Sequence, residues 1–140
     1  MSRIVVGVDG SPASEAALRW AHEYAGRSGG AIEIIMSWNE HPLLAGISET
    51  LGGGVPLEQV EAQAHILLDA TINAAIPQGS TVTVTSSVIS GSPGDALVQA
   101  AVLADVLVVG RPERSGLLHL GSVAAYCARN ATCPTVVVPE

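Results

Sequence analysis

Apolar residues along the chain gather in five short blocks, separated by stretches whose apolar positions recur at helical spacing. Residues 3–8, Arg3-Ile4-Val5-Val6-Gly7-Val8, are continuously apolar and β-branched, as in a strand covered on both faces. Asp9-Gly10-Ser11-Pro12 breaks that run; Ser11 suits a helix N-cap and Pro12 the first helical position. The spacing then predicts a helix over 13–27, with Ala17, Trp20, Ala21 and Tyr24 on one face, ended by Gly29-Gly30. Residues 31–38 alternate too little for an exposed strand and read as a second buried one. A Gly-rich loop over 39–56 is long for a compact domain, and loops of that length are usually functional or mobile. A helix over 57–76 follows, with Val60, Ala64, Leu67, Leu68 and Thr71 at core spacing, stopped by Pro77-Gln78-Gly79. A third strand is predicted over 81–89. Ser92-Pro93 repeats the Ser-Pro device of Ser11-Pro12 and opens a helix reaching about Leu103. A very apolar strand over 105–109, an irregular loop over 110–120, a helix over 121–130 and a strand over 134–138 complete the chain.

Buried strands alternating with amphipathic helices imply a parallel sheet with helices on both faces, joined by right-handed crossovers. The 140 residues fit one domain, taken as 1–140. Hydrophobic residues form 48% of the chain and charged residues 14%, which excludes disorder. With no Phe and many Ala and Val, close helix–sheet contact is favoured over aromatic packing.

Charge narrows function. Six basic residues face thirteen acidic ones, a net of −7, so neither nucleic acid nor an anionic membrane is an expected partner. Every basic residue is Arg. The absence of Lys excludes a Walker A lysine, a pyridoxal phosphate Schiff base and a lysine general base. Cys127 and Cys133 are spaced for neither a redox CxxC motif nor a zinc site. They read as reduced thiols, and with no signal-peptide pattern or long apolar run the expected location is cytoplasmic.

Ligands of open α/β sheets bind beyond the carboxyl ends of the strands, where strand order reverses. Three segments occupy such ends: 7–11, 37–39 and 110–122. In the last, Gly116 to Gly121-Ser122 has the outline of a phosphate loop without its lysine, with Arg111 and Arg114 nearby. A glycine loop entering a helix offers free N–H groups and the positive end of a dipole; a plain loop whose Gly121-Ser122 only caps a helix accounts for the same residues. Asp9 suits a hydrogen bond from a ribose hydroxyl or a hydrated metal, and equally a turn bonded to its own backbone. His22 and His65 fall inside helices, where solvated or snorkelling roles suit them. His41 and His119 fall in loops without an orienting partner. No catalytic residue, hydrolytic triad or metal site is expected.

Taken in order, Ile4-Val5-Val6-Gly7-Val8-Asp9-Gly10-Ser11, Gly91-Ser92-Pro93, Ala104 to Gly110, Leu120-Gly121-Ser122-Val123 and Cys133 to Val138 resemble the universal stress protein family over nearly the whole chain. That resemblance implies a flavodoxin-like, adenine nucleotide alpha hydrolase-like α/β fold. Its five-stranded parallel sheet would be ordered 3-2-1-4-5, with four helices. It also implies a homodimer through the last strand, where Val136, Val137 and Val138 would otherwise form an exposed apolar edge. Many members bind ATP through the pattern G-x2-G-x9-G-[ST]. Gly110 and Gly121-Ser122 match its outer elements, but the intervening stretch is two residues short and Glu113 stands at the second glycine. Carried over by position, Gly7, Val8 and Asp9 would line adenine and ribose, and the Ser37 backbone would meet adenine. Val109 and Gly110 would lie at the end of the fourth strand, and Gly121, Ser122 and Val123 would receive phosphate. The implied function is a dimeric stress-response regulator binding ATP, with or without Mg²⁺, or another adenine nucleotide. The alternative is a member that has lost ATP and serves as a dimeric interaction module for protein partners. A slow nucleotide hydrolase ranks last, since no general base is visible.

Overall fold

The computed structural model describes residues 2–37, 57–112 and 121–140. They form β1 (Arg3–Val8), α1 (Pro12–Ser28), β2 (Ala31–Ser37), α2 (Leu57–Ala75), β3 (Thr83–Ile89), α3 (Pro93–Ala100), β4 (Val106–Arg111), α4 (Ser122–Asn130) and β5 (Thr135–Pro139). All sheet pairings are parallel and the order is β3-β2-β1-β4-β5, the expected arrangement.

β1 lies at the centre because it can be covered on both faces: Ile4, Val5 and Val6 are completely buried. Its even-numbered side chains, Ile4, Val6 and Val8, pack with Leu18, Ala21 and Ala64 beneath α1 and α2. Val5 faces the other way, joining Leu97, Leu107, Ala124 and Cys127 beneath α3 and α4. Each large side chain so buried contributes roughly 1.5–3 kcal/mol. The small residues of α1, Ala17, Ala21 and Ala25, let its axis approach the sheet closely.

Several boundaries differ from expectation. α1 buries a stripe through Ala13, Ala17, Leu18, Ala21 and Ala25; Trp20 and Tyr24 lie at its margin, stacked with ring centroids 5.2 Å apart. The predicted helix to Leu103 ends at Ala100 and tightens into a 3₁₀ turn over Ala101–Leu103. β3 begins at Thr83 rather than Thr81 and is an edge strand, with Thr83, Thr85, Ser86 and Ser87 exposed. The Ser-Pro starts are also unequal. The Ser11 hydroxyl accepts from the Ser14 N–H at 3.2 Å, whereas the Ser92 side chain makes no capping bond.

His22 is engaged rather than solvated: its Nε2 lies 2.6 Å from the Ser80 hydroxyl, which also accepts from the Val82 N–H. His65 is exposed beside Glu61 at 3.8 Å. Both cysteines are free thiols. No helix among the described residues is long and apolar enough to cross a membrane.

Candidate functional site

β1 pairs with β2 on one side and β4 on the other, so strand order reverses at β1. The crossover connections leave this point on opposite faces: α1 and α2 lie on one, α3 and α4 on the other. A cleft of about 240 Å³ opens there, at the carboxyl ends of β1, β2 and β4. Gly7, Val8, Asp9, Ser37, Val109, Gly110, Ser122 and Val123 all line it. The remaining predicted residue, Gly121, is the N-cap of α4 just before Ser122 and is not part of the lining.

Two of the strand-end positions must be glycine because neighbours pack directly on them. A Cβ on Gly7 would lie 2.5 Å from Leu97 Cδ1, and one on Gly110 would collide with the Ala13 carbonyl. The second contact is with backbone, which cannot rotate away. Gly121 has φ +84°, ψ 151°, a conformation that L side chains resist. Its backbone turns the chain into α4, whose first turn carries no acidic residue. The positive end of the helix dipole therefore meets the cleft through Ser122.

Asp9 takes the turn reading at least in part: its Oδ1 accepts from the Ser11 N–H at 2.9 Å. That bond leaves the other carboxylate oxygen for a ligand. Ser37 is buried, and its hydroxyl donates to the Gly91 carbonyl, tying the end of β2 to the turn before α3. Ser11 and Pro112 fall within the segments 7–11 and 110–122 read as strand ends, whereas sequence reasoning missed Ala13, Ser14, Ile35, Pro93 and Leu97 as lining residues. Ser11 and Pro93 had signals as helix starts. Ile35 and Leu97 look like ordinary core positions, and only the fold brings them to the cleft. Among the described residues no group of three or more His, Cys, Asp and Glu is placed to hold a metal ion. Trp38, His41, Glu113, Arg114, Gly116 and His119, with the 39–56 loop, lie outside the described residues.

The fold coincides with what comparison with known proteins finds. The chain belongs to the universal stress protein family, which matches residues 1–139. A universal stress protein of Mycolicibacterium smegmatis is 31% identical over 137 residues, covering 96% of this chain and 45% of the relative. One from Mycobacterium tuberculosis is 29% identical over 139 residues, covering 98% and 45%. The chain thus spans about half the length of the curated relatives it matches. Among solved structures, a universal stress protein in complex with cAMP is 26% identical with a TM-score of 0.62, covering 99% of this chain and 96% of that one. The Archaeoglobus fulgidus protein in complex with dAMP shares the fold at 22% identity and a TM-score of 0.68, covering 98% and 97%.

Proposed function

We propose that the chain is a stress-response regulator that binds an adenine nucleotide in the cleft between β1 and β4. The observation that carries this reading is the convergence of eight separately predicted residues on one cavity at the strand-order reversal. The cleft lies just below the range of about 300–1,000 Å³ usual for ligand sites. That size suits a base and sugar, with phosphate extending past Ser122 toward solvent. Gly7, Val8 and Ser37 would hold the base, Asp9 would accept from a ribose hydroxyl, and the first turn of α4 would receive phosphate. Related proteins solved with cAMP and dAMP support the class of ligand. ATP belongs to the same proposal; Mg²⁺, if bound, would be held chiefly by the phosphates, with Asp9 as the protein carboxylate lining the cleft. The chain acts by binding rather than turnover.

Dimerisation through β5 forms part of the proposal. Val136, Val137 and Val138 are half-buried, and β5 pairs on one side only, with β4. An apolar edge of this kind is stabilised by pairing with a second copy.

The test is to denature freshly purified protein, identify any released nucleotide, and titrate AMP, cAMP and ATP with and without Mg²⁺ by calorimetry. Saturable binding near micromolar, about −8 kcal/mol at 1 μM, is the expected result. No released nucleotide and no heat with any of the three would favour the second reading. That reading is an interaction module whose loop, two residues short and bearing Glu113, no longer accepts ATP.

A further inference from the structure

α3 begins at the cleft through Pro93 and reaches it again through Leu97, while α4 begins there through Ser122 and Val123. The separation of these two helix starts sets the width of one end of the site. α3 is poorly anchored by its own sequence. Ser92-Pro93-Gly94-Asp95 has the order of a capping box, in which Ser92 and Asp95 would close on each other's backbone. The box is not made. Ser92 gives no side-chain cap, and Asp95 turns away to accept a hydrogen bond from the Tyr126 hydroxyl on α4. Gly94 makes room for this: a Cβ there would lie 2.6 Å from Tyr126 Cδ1, so the ring lies directly against the first turn of α3. On the other side, the Ser37 hydroxyl holds the Gly91 carbonyl just before α3. The start of α3 is therefore fixed by its neighbours instead of by its own cap.

We infer that Tyr126 and Asp95 are positioning residues for the nucleotide site, a latch that joins α3 to α4 one turn behind the cleft and sets how closely Ser122 and Val123 approach phosphate. Neither residue lines the cleft, so each acts through the helix it belongs to. The Asp95 hydrogen bond, reinforced by desolvation, holds the Tyr126 phenol above its ordinary pKa of 10.0, so the hydroxyl keeps its donor proton throughout the neutral range. The inference rests on the nucleotide reading above and predicts an effect confined to the phosphate end. The adenosine end is set by β1 and β2, with the start of α3 held there by the separate Ser37–Gly91 bond and by Leu97 against Gly7, and Tyr126→Phe leaves those contacts in place.

The experiment titrates AMP and adenosine into the parent chain, Tyr126→Phe and Asp95→Asn. Tyr126→Phe keeps the ring against Gly94 and loses only the hydroxyl. Its affinity for AMP should fall about fivefold to tenfold, with adenosine unchanged. Asp95→Asn leaves the phenol a neutral, weaker acceptor and should lose AMP affinity in the same direction as Tyr126→Phe but by less, with adenosine unchanged. Equal weakening of AMP and adenosine by Tyr126→Phe would show a merely structural role and overturn the latch. An unchanged AMP affinity in Tyr126→Phe, or an Asp95→Asn loss larger than that of Tyr126→Phe, would overturn it as well. A parent that binds neither ligand would instead reject the nucleotide reading, and the latch with it.

Discussion

The two ends of the same sheet are built on opposite plans. At the amino ends of the strands, polar groups close on one another. The Arg3 N–H donates to Asp105 Oδ2 at 2.7 Å and the Asp105 N–H to the Arg3 carbonyl at 2.8 Å. Ala31 N–H reaches the Ser2 carbonyl at 2.9 Å, and the Arg3 guanidinium pairs with Glu33. At the carboxyl ends, Gly7 and Gly110 let Leu97 and the Ala13 backbone pack directly on the strands, and a cleft opens beyond them. Both ends use glycine, for different reasons. Gly29, which ends α1 before β2, has φ +71° and nothing within 4 Å of an added Cβ. It is needed for its backbone angle, whereas Gly110 is needed so that the Ala13 backbone can pack against β4.

Breaking the carboxyl end should have the largest effect. Gly110→Val would drive a branched side chain into the Ala13 carbonyl, where rotamer change offers no relief. It should destabilise the fold by about 3 kcal/mol and abolish nucleotide binding, read from denaturant midpoints and calorimetry. Gly29→Ala meets no neighbour and should cost about 1 kcal/mol from backbone strain alone. Nucleotide affinity should stay at the parent value, and a loss would mean that the two ends are coupled.

A titration separates the ends further. Burial, reinforced by the charge of neighbouring Cys133, pushes the Cys127 thiol up from 9.0 to about 11. Between those values the native state keeps a proton that the unfolded chain has lost. The associated stability is therefore complete below pH 9, declines as pH rises toward 11, and levels beyond. Cys127→Ala should flatten that decline in denaturation curves taken across the range. The smallest effect belongs to Arg3→Ala. Its pair with Glu33 is 40% and 30% exposed, so the loss should be about 0.5 kcal/mol, and smaller still in high salt.

Element order was legible because each strand of the chain carries its own signal. The apolar runs at Ile4-Val5-Val6 and Val106-Leu107-Val108-Val109 could only be covered strands, and the parallel order follows from the helices between them. The cleft residues were legible where a motif marked them. What escaped was anything decided by a distant partner. Ser11 and Ser92 look alike in sequence, yet one caps its helix and the other does not, and Asp95 in the first turn of α3 instead pairs with Tyr126 thirty-one residues away. Pattern likewise placed Trp20 and Tyr24 on the core face of α1: Trp20 packs partly buried against the core, but Tyr24 stacks on it from the exposed side. The edge position of β3 was implied by the family resemblance through the order 3-2-1-4-5 and not by its own local pattern.

The place of β1 between β2 and β4 also bears on how the molecule assembles and comes apart. Arg3 and Asp105, joined across these strands, are 102 residues apart in the chain. Neither a leading nor a trailing fragment contains the site, and β1–β4 closure carries the large chain-entropy cost that makes such pairings slow. A ligand in this cleft grips both halves at their seam. Bound nucleotide would thus lengthen the lifetime of the folded chain against unfolding and proteolysis, and its departure would expose the molecule to both.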